Sequence, residues 1–249
     1  MSLMKGEICY MLEYDKDKEN MERNVKLFGD EFIKDHPNLN YLYEKQSYPI
    51  SASLSFLVKE KKTIIIEIEW ANIEDLSHLF ENCEFLFSLS IRYPLNVKNT
   101  SYMFCNCPLL TNIWGIFTLD TSNVIDMSYM FAGCSNLKEI GHLSNWDTGN
   151  VKDMKFIFSN CRLVRQLDLK WNTSNVNNFQ GMFNGCNSLY KIDGLSSWDT
   201  KNVIDMSWMF RRCFALMPLP DINTWDTKNV KNINLMFFEC SKDLIVNNN

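Results

Sequence analysis

The sequence is poor in several features that mark particular classes of protein. Its 249 residues include only 9 Gly and 6 Pro, which excludes a collagen-like or low-complexity chain. Basic residues are outnumbered by acidic ones, 25 to 30, so the chain lacks the clustered positive charge of a non-specific nucleic-acid binder. The uncharged stretch 99–119 has the length of a membrane span, but its Asn and Thr residues and Pro108 are costly in hydrocarbon. What remains is an ordinary globular composition, 46% hydrophobic and 22% charged.

Residues suited to catalysis are equally scarce. The three histidines, His36, His78 and His142, lie in separate segments without a partner motif. The chain contains no phosphate-binding loop, no dinucleotide fingerprint, no nucleophile elbow and no His-Glu-x-x-His zinc motif. A nucleophilic role for Cys9 would need a nearby base, which the sequence does not show. We therefore expect no enzymatic activity, no catalytic residue, no cofactor and no metal site.

A repeat of 24 to 27 residues fills the chain from about residue 71 onward. Each copy is anchored by a phenylalanine, taken here as position 0, and has a cysteine at position +3, an isoleucine or valine at −7 and an asparagine at −8. Positions −1 and +9 are apolar in all copies. The seven anchors are Phe80, Phe104, Phe131, Phe158, Phe183, Phe210 and Phe237, and the cysteines are Cys83, Cys107, Cys134, Cys161, Cys186, Cys213 and Cys240.

One copy carries a recognisable signature. The segment from Asn123 to Leu137 reads Asn-Val-Ile-Asp-Met-Ser-Tyr-Met-Phe-Ala-Gly-Cys-Ser-Asn-Leu, and Trp146-Asp147-Thr148 follows it. This pattern resembles the repeat of the BspA-like leucine-rich repeat family, and the resemblance covers roughly residues 70 to 246. It implies a solenoid fold with binding or cell-surface roles, and it brings no catalytic residue.

The spacing within a copy predicts its local structure. Apolar residues at −7, −4, −1, 0 and +3 recur as on a helix, and those at +6 and +9 are typical of a strand. A single copy cannot bury its own apolar side, so the copies must stack on one another. We therefore predict the α/β class: a leucine-rich-repeat-like solenoid of about seven helix-strand-turn repeats over 71–249.

Residues 1–70 lack the repeat, and their pattern of apolar and charged residues predicts a small α+β region that caps this stack. We expect strands at 7–14 and 25–28, a short helix at 30–34 and a β-rich run at 63–70. An open stack exposes apolar groups at its ends, so a cap favours solubility.

The regularly spaced cysteines allow three interpretations: buried thiols, disulfides or a metal site. Parallel side chains on stacked copies would hold their Cβ atoms farther apart than a disulfide prefers, and a column of ligands cannot surround a metal tetrahedrally. Buried, reduced thiols are favoured, and these suit a reducing compartment, so we expect the cytoplasm.

Positions +7, +8 and +10 point outward if the strands form one sheet, and they supply the candidate partner-binding surface. We expect a non-enzymatic protein-interaction or scaffold module with a protein partner, without nucleic acid or membrane insertion. The alternative is a secreted or cell-surface adhesin or antigen of the BspA-like type. Its export signal would then lie outside these 249 residues. The candidate partner-binding residues are Phe87, Trp114, Lys138, Arg165, Tyr190, Lys191 and Met217.

Overall fold

The computed structural model describes two regions, an N-terminal sheet and a stack of repeat copies, over residues 5–12, 22–51, 54–57, 62–69, 73–91, 95–218 and 222–240. This described part excludes Trp70, Asn72 and residues 241–249. It also excludes Leu219 and Val246, the residues predicted at position +9 of the last two copies.

The N-terminal region and the first two copies share one six-stranded sheet. Its strand order is β4-β3-β6-β1-β7-β9. Neighbours from β4 to β7 are antiparallel, whereas β7 and β9, from the first and second copies, are parallel. The elements of the N-terminal region are β1 (Lys5–Leu12), β2 (Glu22–Val25), α1 (Asp30–Asp35), β3 (Asn40–Tyr43), β4 (Gln46–Pro49), β5 (Leu54–Leu57) and β6 (Lys62–Glu69). The strands of the repeats are β7 (Leu86–Ile91), β8 (Leu95–Asn96), β9 (Asn112–Trp114), β10 (Leu119–Asp120), β11 (Gln166–Asp168) and β12 (Lys191–Asp193).

The helix and the β-rich run predicted before the repeats are confirmed as α1 and β6. The strand predicted at 25–28 is wrong, because β2 ends at Val25. The chain then leaves the strand, and Phe28 packs against the first copy. There Phe28 stacks on the first anchor, Phe80, with ring centroids 6.1 Å apart. The Gly29 N–H donates to the Leu79 carbonyl at 2.9 Å. A Cβ at Gly29 would lie 1.9 Å from the His78 carbonyl oxygen, so only glycine allows this close approach.

The predicted α/β leucine-rich-repeat-like solenoid of helix-strand-turn repeats is wrong. Within the described residues α1 is the only α-helix, and it lies before the repeats. The segments predicted as helices are successions of turns. Strands in the copies are short, and most junctions between copies are made by isolated parallel bridges, such as Asp126 with Asp153.

The reason for this difference is a left-handed backbone at two positions of every copy. Positions −2 and +2 have positive φ in all seven copies, which interrupts the right-handed helix every four residues. The residues at position −2 are His78, Tyr102, Tyr129, Phe156, Gly181, Trp208 and Leu235. The residues at position +2 are Asn82, Asn106, Gly133, Asn160, Gly185, Arg212 and Glu239.

Because of these turns, alternate N–H groups donate to acceptors in different copies. The N–H groups at −1 and +1 of every copy, and at +3 of every copy but the second, donate within the copy to the carbonyl three residues earlier, as Cys134 does to Phe131 at 3.1 Å. The N–H groups at −4, −2, 0 and +2 donate instead to carbonyls of the next copy, as Phe131 does to Ile157 at 2.9 Å. The second set recurs at every junction between consecutive copies. The predicted stacking of copies is therefore made by main-chain hydrogen bonds between turns.

Side chains at equivalent positions form columns through the stack. The anchor rings stack face to face, with successive centroids 5.3 to 5.8 Å apart. All of them are fully buried except Phe237, which is partly buried. The asparagines at −8 also link copies, since the Asn150 side-chain amide donates to the Ser122 carbonyl at 2.7 Å.

The cysteine column is buried and hydrogen-bonded. Each thiol from the second to the sixth copy donates to the anchor carbonyl of the preceding copy, as Cys134 does to Phe104 at 3.1 Å. The eight cysteines whose side chains the structure describes, which include Cys105, are all free and buried. Burial raises the pKa of Cys186 to about 12, so this thiol is neutral at physiological pH. The expectation of buried thiols is confirmed for these residues.

Replacing an anchor ring tests the stacked core. Phe131→Ala should lower the free energy of unfolding by about 3–5 kcal/mol, because the ring is fully buried between two others and leaves a cavity. Ile125→Ala is the matched control: that side chain is 53% exposed, and its loss should cost less than about 0.5 kcal/mol. Urea denaturation measures both, and equal losses would contradict the assignment of the core.

Thiol labelling tests the cysteine column. In denaturant at pH 8 the cysteines should all react rapidly with an aromatic disulfide reagent, whereas in the native protein the column should react only as fast as it unfolds. The buried neutral thiol is a poor nucleophile, and the reagent cannot reach it. Fewer than nine reactive thiols in denaturant would show that cysteines are bridged, and rapid labelling of the column in the native protein would show that it is open.

Candidate protein-binding groove

An open groove of about 790 Å³ crosses the third, fourth and fifth copies on the side of the strands. Its lining combines charged, polar and a few apolar side chains. The residues are Lys138, Glu139, Ile140, Gly141, His142, Leu143, Leu163, Arg165, Gln166, Leu167, Asp168, Ser188, Tyr190, Lys191 and Asp193.

The floor of the groove is set by the parallel pairing of β11 with β12. Gln166 lies opposite Lys191, and the Tyr190 N–H donates to the Arg165 carbonyl at 2.9 Å. Residues alternate along the strand, so Leu167 is buried while its neighbour Gln166 is exposed. The register therefore places outward side chains of successive copies side by side, and the Tyr190 hydroxyl donates to the Gln166 side-chain oxygen at 3.4 Å.

Some charges of the groove are paired within the protein. Lys191 lies 2.8 Å from the Asp193 carboxylate, whose hydrogen bond and negative charge raise the pKa of the lysine. Lys170 lies 3.5 Å from Asp168, close to the groove. The Oδ1 atom of Asp168 is buried and has no hydrogen-bond donor among the described residues.

Two cations of the groove remain without a counter-ion. Lys138 and Arg165 are both exposed, and neither forms an ion pair with any described residue. The Tyr190 side chain is 48% exposed. The groove thus offers a guanidinium and an ammonium to a ligand without breaking an ion pair, beside a phenol whose hydroxyl already donates to Gln166.

The structure brings together four of the seven predicted partner-binding residues, namely Lys138, Arg165, Tyr190 and Lys191. The other three lie outside the groove. Phe87 is half-buried on β7, Trp114 is 57% exposed at the end of β9, and Met217 is 50% exposed in the sixth copy. Whether any of the seven binds a partner stays a prediction.

Sequence reasoning missed other residues of this surface. His142 and Leu163 were not among the predicted partner-binding residues, yet both line the groove. Leu163 is 37% exposed despite its apolar side chain. No residue near it in the sequence indicates that it is exposed.

A second surface was also missed: a half-buried aromatic column at position −2. His78, Tyr102, Tyr129 and Phe156 stack at centroid distances of 4.8, 4.6 and 5.0 Å. Aromatic residues seldom adopt positive φ, so propensity alone could not place them in one column. The successive rings cover one another, which leaves mainly their edges for solvent.

The described part of the chain contains no group of three or more His, Cys, Asp or Glu side chains placed to hold a metal ion. None of its helices has the length and apolar character needed to cross a bilayer.

No curated protein and no solved structure matches the chain. One protein family does, described as "Mycoplasma protein of unknown function, DUF285", with matches over residues 74–191 and 162–245. These two matches cover the repeats and more than half of the chain. The chain therefore belongs to the DUF285 family.

Proposed function

We propose that this protein is a non-enzymatic protein-interaction module whose binding site is the groove over its third to fifth copies. The observation that carries this proposal is the juxtaposition of exposed Arg165, Tyr190 and Lys191 in one open groove. Tyr and Arg are enriched among residues that dominate the energy of protein interfaces.

The lining supports a polypeptide partner over other ligands. Small-molecule sites are mostly apolar, whereas this groove is lined by Lys138, Glu139, Arg165, Asp168, Lys191 and Asp193. Both signs of charge occur, so a polyphosphate chain would meet carboxylates as well as cations. A peptide can match alternating charges and can also contact Tyr190.

We infer that the repeat is of the BspA-like type, and the family match to the same residues supports this. We also propose a reducing compartment, the cytoplasm, as the place of action. Support comes from the eight cysteines whose side chains the structure describes, which are free and buried. A cell-surface adhesin would instead fold where thiols are oxidised, so localising the native protein distinguishes the two roles.

Substitution of the two proposed anchors tests the groove. Arg165→Ala combined with Tyr190→Ala should weaken binding of a groove partner at least about tenfold, because both side chains are exposed and their loss removes contacts without disturbing the strands. Partners enriched from a lysate of the source organism would be identified, purified and titrated by calorimetry.

The matched control is Phe214→Ala, which removes an aromatic side chain that is 54% exposed but does not line the groove. It should leave binding unchanged, and all variants should keep the wild-type melting temperature. A partner that binds the double variant as tightly as the wild type would contradict the proposed site.

A further inference from the structure

The seventh copy ends the described stack with an unpaired row of main-chain donors. In the first six copies, the N–H groups at −4, −2, 0 and +2 donate to the following copy. In the seventh copy the same four groups have no acceptor among the residues that the structure describes. They belong to Ile233, Leu235, Phe237 and Glu239; we call this row the donor edge.

Apolar side chains accompany the donor edge. Ile233 is 61% exposed, Leu235 is 49% exposed and Phe238 is 46% exposed. Phe237 ends the column of anchor rings, with Phe210 stacked on one face at 5.3 Å and no other ring on its second face. The carboxylate of Glu239 is already paired with Arg212 at 2.7 Å. This end therefore combines unpaired donors with apolar contact area, as an exposed sheet edge does.

The opposite end of the stack is covered, which bears on what could bind the donor edge. The carbonyls of the first copy would complement it, but Gly29 already donates to Leu79, and Phe28 lies on Phe80. Head-to-tail stacking of two molecules would have to displace this contact. The first copy of a second molecule is thus a poor occupant.

Pairing of two donor edges is unfavourable for a different reason. At each junction the four donors point toward the following copy and the matching acceptors belong to that copy. Two molecules joined at their seventh copies would therefore set donors against donors. Buried N–H groups without acceptors cost free energy, so this symmetric arrangement is disfavoured.

We propose that the donor edge binds a main-chain segment of another protein that folds into the successive turns of a repeat copy, in addition to whatever the groove binds. The incoming segment supplies carbonyls at positions equivalent to −5, −3, −1 and +1, as each copy does for the preceding one, and its apolar side chains cover Ile233, Leu235 and Phe238. As in strand addition to an open edge, main-chain hydrogen bonds give affinity and side chains give specificity.

Hydrogen exchange of the full chain provides the first test. The amides of Ile233, Leu235, Phe237 and Glu239 should exchange at least about tenfold faster than their equivalents in the sixth copy, because only the latter have acceptors. Equal protection in the free protein would overturn the proposal, since it would mean that the edge is already covered by the chain itself or by a second copy.

A binding assay provides the second test. The probe is a synthetic, fluorescently labelled peptide with the sequence of residues 123–137, kept reduced, and a scrambled peptide is the control. We expect the repeat peptide to bind and to slow exchange at the donor edge. Ile233→Lys with Leu235→Lys should weaken this binding at least about tenfold, because charged side chains oppose strand addition.

The matched double variant is Phe117→Lys with Ile125→Lys, which places the same charges on apolar side chains of the second and third copies that are 47% and 53% exposed. It should bind the peptide as the wild type does. Equal affinity of both double variants, or no binding of the repeat peptide, would overturn the proposal. So would a dimer, detected by sedimentation, that the variant at residues 233 and 235 abolishes. None of these outcomes depends on the groove.

Discussion

The main-chain hydrogen bond between consecutive copies is the interaction on which the rest of the structure depends. It exists because two residues per copy adopt positive φ, which turns every second N–H out of the local turn and toward the next copy. With the backbone held in this way, equivalent side chains must lie one above another. The buried Phe and Cys columns follow from that register, and so does the pairing of strands below the groove.

The sequence allowed the repeat, its buried columns and the helix before it to be predicted. The apolar positions were identified correctly because burial depends on which residues recur, and a column such as Phe104, Phe131 and Phe158 is buried in either a helical or a turn conformation. The same ambiguity made the fold prediction wrong. Apolar residues at −4, −1, 0 and +3 fit one face of a helix, but they also fit successive four-residue turns.

The feature that separates these two conformations has a weak sequence signal. At position +2 the residues Asn106, Gly133 and Gly185 tolerate a left-handed backbone, and they could have suggested turns. At position −2 the residues are mostly aromatic, and nothing in their propensities indicates positive φ. Their stacking along the outside of the copies becomes visible only once the register is known.

The candidate groove was predictable in part for a similar reason. Outward positions can be read from the apolar columns, so Arg165 and Tyr190 were expected to point outward, and both are exposed. Which outward residues share a groove depends on how strands form in each copy. β11 and β12 pair in the fourth and fifth copies, whereas Trp114 lies on the six-stranded sheet, outside the groove. Exposed groove residues such as Arg165 lie outside the buried core, whereas Leu143 and Leu167 line the groove and also belong to that core.

The unequal ends of the stack give unfolding a direction. The first copy is held on one side by Phe28 and by the pairing of β7 with β1, and on the other by the second copy. Among the described residues, the seventh copy contacts a neighbouring copy only on the side of the sixth. In an array where each unit contacts only its neighbours, loss of order begins where the fewest contacts must break. Fraying should therefore start at Phe237 and advance as a melting front toward the N-terminal sheet.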